Sequence, residues 1–375
     1  MKTLWRLFLL ILVVSPFKNS FSQNYDVFGS PLAELYLYRE PNAKADAMGR
    51  SGVVSLDNNF GSYYNPALTS LGSGITANAS FSKPFYLAEK STYNYFGVSY
   101  SDKKIGSIGL SRYHWNFGED IIITDETGRE TGEVGHIHYS LYTLNYSREI
   151  IENFLVGANI GYINNHFPAS PSGTDGDGKC FTFDIGLMKG FDIPGAADNL
   201  KHSFQLGTSL INVTGSKISY ADANQKDALP QIFRFGGSYN LKVKGKFIIP
   251  NSNLIETLTK VEYQKVLNSN YFSAVKFGQE FTLGEIFSLR AGYFKQSLND
   301  FGNSNNASSQ SMFTYGAGVK IPVNLIFESK TPIALEIDYV NLEQPSFINS
   351  ATFFNYTKWD NYSNISLTLK IIPSL

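Results

Sequence analysis

Cysteine is nearly missing from this chain. One thiol, Cys180, in 375 residues rules out a disulfide framework and a thiolate metal cluster, and no base partner for a catalytic cysteine is evident. Excess charge is missing too. Thirty-one Lys and Arg against 32 Asp and Glu leave a net charge of −1, which excludes a nucleic-acid binder or a polybasic membrane anchor. Charged residues make up only 17 % of the chain. Beyond the first residues no apolar run approaches the length of a membrane-spanning helix, and mean hydropathy is too low for a helical membrane protein.

Aromatic residues (15 %) and the 32 glycines stand out instead. Their combination with modest mean hydropathy suits a membrane barrel, in which outward apolar and inward polar residues average out. The first residues read as a secretory leader. Lys2 and Arg6 precede the apolar run Leu7–Val14, and Ser20-Phe21-Ser22 supplies a small-x-small cleavage site. The expected organisation is a leader over 1–22, an N-terminal plug or periplasmic segment over 23–74, and a barrel over 75–375. An exported chain without a spanning helix enters a membrane only as a closed barrel.

From Gln23 to about Leu71 no period of two is visible, and Pro31, Pro41 and Pro66 punctuate an irregular lead-in with a short helix expected near Ala43–Met48. After Gly72 strict alternation takes over. Ile365, Leu367, Leu369 and Ile371 alternate with Ser366, Thr368 and Lys370; Phe287, Leu289, Ala291 and Tyr293 alternate with Ser288, Arg290 and Gly292. Such a period means one face in an apolar medium and one in a polar medium. Counting these segments predicts an all-β, transmembrane antiparallel β-barrel of about fourteen strands, each about 9–11 residues long. Tight connections at Asp102–Lys104, Glu149–Glu152 and Leu283–Glu285 alternate with longer ones, among them Asn116–Gly135, Phe167–Lys179 and Val213–Pro230, read as extracellular loops. A propeller would need a blade-length repeat, and none is found.

With the apolar set against lipid, Arg234, Lys242, Lys260, Glu262, Lys276, Glu280, Arg290, Lys320, Glu336 and Asp338 face the lumen. Lys276 and Glu280 on one strand neighbour Arg290 on the next, which predicts a paired interior network, because single charges in a narrow interior are costly. Gly173–Gly178 resembles a small calcium loop but lacks the later bidentate acid, so a solvated turn is the better reading. His136 and His138 share a strand face without a third ligand in sequence and read as rim histidines. Neither a nucleophile elbow nor a phosphate loop occurs, so a non-enzymatic chain without cofactor or metal is expected.

Met48-Gly49 with Asn65-Pro66-Ala67 resembles the amino-terminal motif of FadL-like outer-membrane barrels, and more closely that of the PorV/PorQ family of Bacteroidetes. Phe233–Tyr239, Gly278–Phe281 with Leu289–Tyr293, and Tyr315–Lys320 resemble the same family in the same order. The chain departs from it at Arg50-Ser51, at Leu68 and at the last residue, Leu375. The resemblance implies a barrel in the cell outer membrane whose N-terminal segment folds into the lumen, with Met48, Gly49, Asn65, Pro66 and Ala67 as the plug motif. A plug inside the wall would bring Asn65 near an inward site such as Arg290. The resemblance further implies support of type IX protein secretion or surface attachment, with secretion-system proteins, exported cargo and outer-membrane lipid as partners. The alternative is passive passage of hydrophobic small molecules, with Phe81–Tyr86 and Phe347–Tyr356 as candidate groove or interfacial aromatics.

Overall fold

The computed structural model describes residues 37, 40–83, 91–124, 127–168, 176–193, 199–220, 226–245, 253–268, 273–298, 308–323, 331–346 and 358–372. The expected leader, Gly173–Asp175, Pro84–Tyr86, Phe347–Tyr356 and Leu375 lie outside them.

Fourteen antiparallel strands close into a barrel. In chain order they are β1 Gly74–Lys83, β2 Thr92–Asp102, β3 Gly106–Thr124, β4 Glu130–Ile151, β5 Phe154–His166, β6 Gly178–Ile193 and β7 Leu200–Ile211, followed by β10 Ile232–Lys244, β11 Asn253–Val266, β12 Ala274–Leu283, β13 Phe287–Leu298, β14 Ser308–Pro322, β15 Ile333–Ser346 and β16 Lys358–Ile371. The short pair β8 Lys217–Ile218 and β9 Asp227–Ala228 stands outside the wall. β1 pairs β16, with Ile75 opposite Ile371 and Ser80 opposite Ser366, so no edge strand remains. The period of two has its predicted consequence. Ile75, Phe81, Leu110, Leu144, Phe181, Leu289 and Phe313 are exposed on the outer face, while Thr76, Asn78, Ser80 and Ser366 are buried on the inner one.

Two expected loops are structured. The stretch 116–135 is not an open loop: β3 and β4 continue as a hairpin to Thr124 and Glu130, with register shifts after Asn116 and after Ile122. Above the membrane both faces of a strand meet water, so pairing persists there without apolar alternation. The connection 213–230 contains β8 and β9, and its Ile218 and Leu229 pack on Ile163.

The lead-in forms a helix at Ala43–Ala47, a one-turn helix at Gly61–Tyr64 and a 3-10 turn at Pro66–Leu71. Its Ala45, Met48, Val53, Leu56, Phe60 and Leu68 are fully buried. This segment packs against the inward residues of the wall and fills the space a hollow barrel would leave open.

Candidate functional site: the plugged lumen

Small residues make the plug possible. Gly157, Gly186, Gly207, Gly236, Gly278, Gly292 and Gly316 sit at inward positions of β5, β6, β7, β10, β12, β13 and β14. Three cross-strand pairs are glycine on glycine: Gly157 with Gly186, Gly207 with Gly236, and Gly278 with Gly292. A Cβ on Gly186 would fall 2.0 Å from the Asn65 side-chain oxygen, one on Gly157 2.4 Å from the Pro66 carbonyl, and one on Gly278 2.5 Å from the Met48 carbonyl. The plug backbone therefore touches the wall backbone along a glycine girdle. β11 is the gap in that series, and there the wall presents charge.

Asn65 is the joint of the plug. Pro66 excludes the helical region for it, and its φ of −153° and ψ of 111° are extended. Its side-chain oxygen accepts from Ala67 N at 3.1 Å, capping the 3-10 turn, while its amide donates to Val53 O at 3.0 Å and Leu187 O at 2.9 Å. One side chain thus ties two plug segments to β6. Met48 and Gly49 meet the other side. Gly49 takes a φ of +66°, which only glycine adopts at low cost, and its N–H donates to Thr314 Oγ1 at 2.8 Å. Thr314 Oγ1 in turn donates to Ala47 O at 2.9 Å. The helix Ala43–Ala47 is capped by the Asn42 side chain and held to β16 through Ala43 N to Ser366 Oγ (2.7 Å) and Asn364 Nδ2 to Asp46 (3.0 Å).

The expected Glu280–Arg290 pair is present, but the inward charges divide into two networks against the plug and a third cluster at the open end. In the first, Glu262 Oε2 accepts the N–H groups of Gly52 and Val53 at 2.7 and 2.9 Å, and its other oxygen lies 3.0 Å from Lys276 Nζ. Lys276 also reaches Gln264 at 2.9 Å, Arg50 O at 2.8 Å and Glu40 at 3.3 Å. Arg234 donates to Gln264 at 3.2 Å and lies over the rings of Tyr63 and Tyr64. In the second, Arg290 is bound by Glu280 and, at 2.7 Å, by Asp338, while plug residue Lys44 pairs with Glu280 at 3.0 Å. Glu336 belongs to the open end below. It meets Lys370 at 3.0 Å, and Lys370 pairs with Asp57 at 2.8 Å.

Asn65 and Arg290 do not meet, against expectation. Asn65 lies on β6, and β7, β10, β11 and β12 separate that strand from β13, which carries Arg290.

Sequence reasoning missed the plug's own charges, Glu40, Lys44, Asp46 and Asp57. Their signal was a run of charged side chains, Arg50 among them, in a stretch rich in small residues. Burial works most strongly on the Lys44 ammonium and pulls its pKa down, but the carboxylates of Glu280, Asp338 and Glu336 together outweigh it and hold the pKa above its ordinary 10.5. Burial would raise the Asp57 carboxyl, and Lys370 instead holds it below the usual carboxylate range. Lys260 is different. It is 1 % exposed, and its ammonium has no hydrogen-bond partner among the described residues.

Two spaces flank the plug. On the extracellular side a cavity of about 50 Å³ is lined by Tyr63, Tyr95, Tyr113, Leu141, Ile163 and Ile232, together with Asp184, Asn212 and Arg234. Next to it Phe60, Tyr93, Tyr95, Tyr113 and Trp115 form an aromatic cluster, with Phe60 stacked on Tyr95 at 4.7 Å. On the periplasmic side an open polar vestibule of about 250 Å³ is lined by Lys44, Asp57, Glu280, Arg290, Glu336 and Lys370 among others. His136 is exposed and His138 half-buried on β4, and among the described residues no group of metal-ligating side chains is arranged to hold an ion.

A transmembrane β-barrel closed by its own N-terminal segment is the class that this fold and lumen define. No protein-family profile and no curated protein matches the chain. Among solved structures it is similar to the Pseudomonas putida toluene transporter TodX, at 11 % identity over 87 % of this chain and 96 % of that one, with a TM-score of 0.42. It is also similar to a Pseudomonas aeruginosa FadL homologue, at 10 % identity over 88 % and 97 % of the two chains with a TM-score of 0.38. A third is the CymD monoaromatic hydrocarbon channel, at 10 % identity over 87 % and 95 % with a TM-score of 0.40.

Proposed function

We propose that the protein is a non-enzymatic outer-membrane channel for small apolar or aromatic molecules, held closed by its plug. The observation that carries this reading is the aromatic cavity directly above the plug. Aliphatic and tyrosine side chains make up just over half of its lining, and polar groups such as Asn159, Asp184, Asn212 and Arg234 would orient a guest. At about 50 Å³ it is a closed-state cavity, and a guest the size of a monoaromatic ring needs Tyr63 or Leu37 to move aside. The two are linked by a hydrogen bond from Tyr63 Oη to Leu37 O, so their movement is coupled.

The second reading is a scaffold for exported proteins, as in type IX secretion. It is favoured by the lumen being filled rather than open and by the β3–β4 hairpin, whose upper strands offer a surface to a protein partner.

Uptake of toluene by proteoliposomes, with and without Ile163→Trp to fill the cavity, separates the two. The channel reading expects uptake that the substitution abolishes. Uptake no faster than in empty liposomes, together with loss of surface-anchored proteins on gene deletion, would establish the scaffold instead.

A further inference from the structure

We propose that the outer wall around β1 binds a phosphate-bearing acyl lipid of the outer leaflet. The wall is not convex everywhere. On its lipid-facing side it carries an apolar groove of about 920 Å³, floored by Ala77 and Ala79 and flanked by Val98, Leu110, Leu144 and Leu369. Small residues cause the indentation. β1 points Ile75, Ala77, Ala79 and Phe81 outward, so its centre stands lower than neighbours that carry leucine, valine and phenylalanine.

Arg112 lines one end of this groove. It follows Ile108 and Leu110 in the outward phase of β3, where the alternation calls for another apolar residue. Seven residues separate it from the Ile105 turn. At ~3.3 Å per residue and a tilt of ~40°, that places it about 18 Å above the periplasmic turn, in the outer half of a band ~25 Å tall. A charge facing lipid costs up to ~2–4 kcal/mol at mid-depth. Among the described residues no carboxylate neutralises this one. Arg112 Nη2 reaches His114 Nδ1 at 3.0 Å and Ser140 Oγ at 3.3 Å, and its guanidinium carbon lies 5.7 Å from the Tyr142 ring centre. Its Nε has no partner, and among the described residues no carboxylate pairs with it.

The described surroundings are imidazoles and a hydroxyl rather than acids. His114 and His138 lie 5.8 Å apart between ring centres, and His138 and His166 5.0 Å apart, forming a ladder across β3, β4 and β5. The carboxylate that the described residues bring to that ladder, Asp177, is already bound by His166 at 2.7 Å. A planar guanidinium that donates only to a neutral ring nitrogen and a hydroxyl oxygen, with its Nε–H still unpaired, matches a phosphate. The apolar groove running from it along the wall matches acyl chains attached to that phosphate. A soluble anion would use the first feature and ignore the second.

The proposal depends on the barrel's orientation and not on what passes through it. It is tested on the full protein purified in detergent, by native mass spectrometry with diphosphoryl lipid A and its dephosphorylated form as probes. Heat-modifiable gel mobility verifies that each variant is folded. The expected result is retention of the phosphorylated lipid over the dephosphorylated one, with Arg112→Gln weakening it by about tenfold or more. Ala77→Trp, which fills the groove, should weaken both forms. Unchanged phosphate preference in Arg112→Gln would overturn the site. So would unchanged binding in Ala77→Trp, or equal competition by inorganic phosphate. Toluene uptake is independent of all three outcomes, so failure here is distinct from failure of the channel reading.

Discussion

Gly292 of the wall lies against Gly49 of the plug so closely that a Cβ on Gly292 would stand 2.0 Å from the Gly49 nitrogen. Neither partner has a side chain to turn away, so the contact is backbone on backbone. Gly292→Val should therefore displace the plug around Met48–Arg50 while the strand itself, favoured by a β-branched residue, survives. Overpacking of this kind costs ~1–3 kcal/mol. The expected outcome is a folded barrel with raised single-channel conductance in planar bilayers; wild-type conductance would mean the plug re-seats.

Glu262 and Lys276 are both nearly fully buried, and each satisfies the other and the plug backbone. Lys276→Met leaves a buried carboxylate that is still bound by two amides but has only Arg234, 4.0 Å away, as counter-charge, and should cost ~3–5 kcal/mol. Adding Glu262→Gln should recover part of that loss. A urea unfolding series in detergent checks this, and strict additivity of the two changes would refute the coupling.

Lys260 should behave in the opposite way. Its amine is buried without a partner, so Lys260→Met removes a desolvation penalty of ~1–3 kcal/mol and keeps the volume. A higher unfolding midpoint is expected, and a lower one would show that the amine has found a partner.

The plug's tether through Lys44 depends on pH in one direction. Its pKa is raised on folding, so the stabilisation is complete below the ordinary 10.5 and is lost as pH rises through the folded value. Asp57 runs the other way, losing its contribution as pH falls below the ordinary 3.8, but its side chain is 55 % exposed and solvent screens the pair. Disulfide trapping of Ala47→Cys with Gly316→Cys, where a Cβ on residue 316 would stand 2.7 Å from that of Ala47, should thus report a seated plug at neutral pH, loosening only above about pH 10.5. Loosening near pH 7 would contradict this assignment.

The barrel was legible because alternation is a local signal. Ile365 to Ile371 carries its lipid face in every second residue, and counting such stretches reaches the observed wall strands. The inward residues were legible as a set for the same reason. Their partners were legible only in part: Glu280 does meet Arg290, but Lys276 turns the other way. Which charge meets which depends on the stagger of neighbouring strands and on what stands between them. Here Lys276 turns to Glu262 on β11, while Arg290 turns to Glu280 and Asp338. Asn65 shows the same limit: its motif marked the plug, but not the strand it would touch. The upper parts of β3 and β4 were hidden because pairing in water leaves no apolar period to read.

The seam where β1 meets β16 joins the first wall strand to the last. The helix Ala43–Ala47, which precedes that first strand, is gripped by Ser366 and Asn364 of the last. Biogenesis therefore has an order imposed on it. The amino-terminal segment has to be inside before the final strand zips the ring shut, because afterwards the glycine-lined bore admits no bulky chain past it. The plug is then a former on which the wall is assembled, as much as a stopper within it. Deleting residues 40–71 should slow or abort insertion of the nascent barrel before it changes permeation.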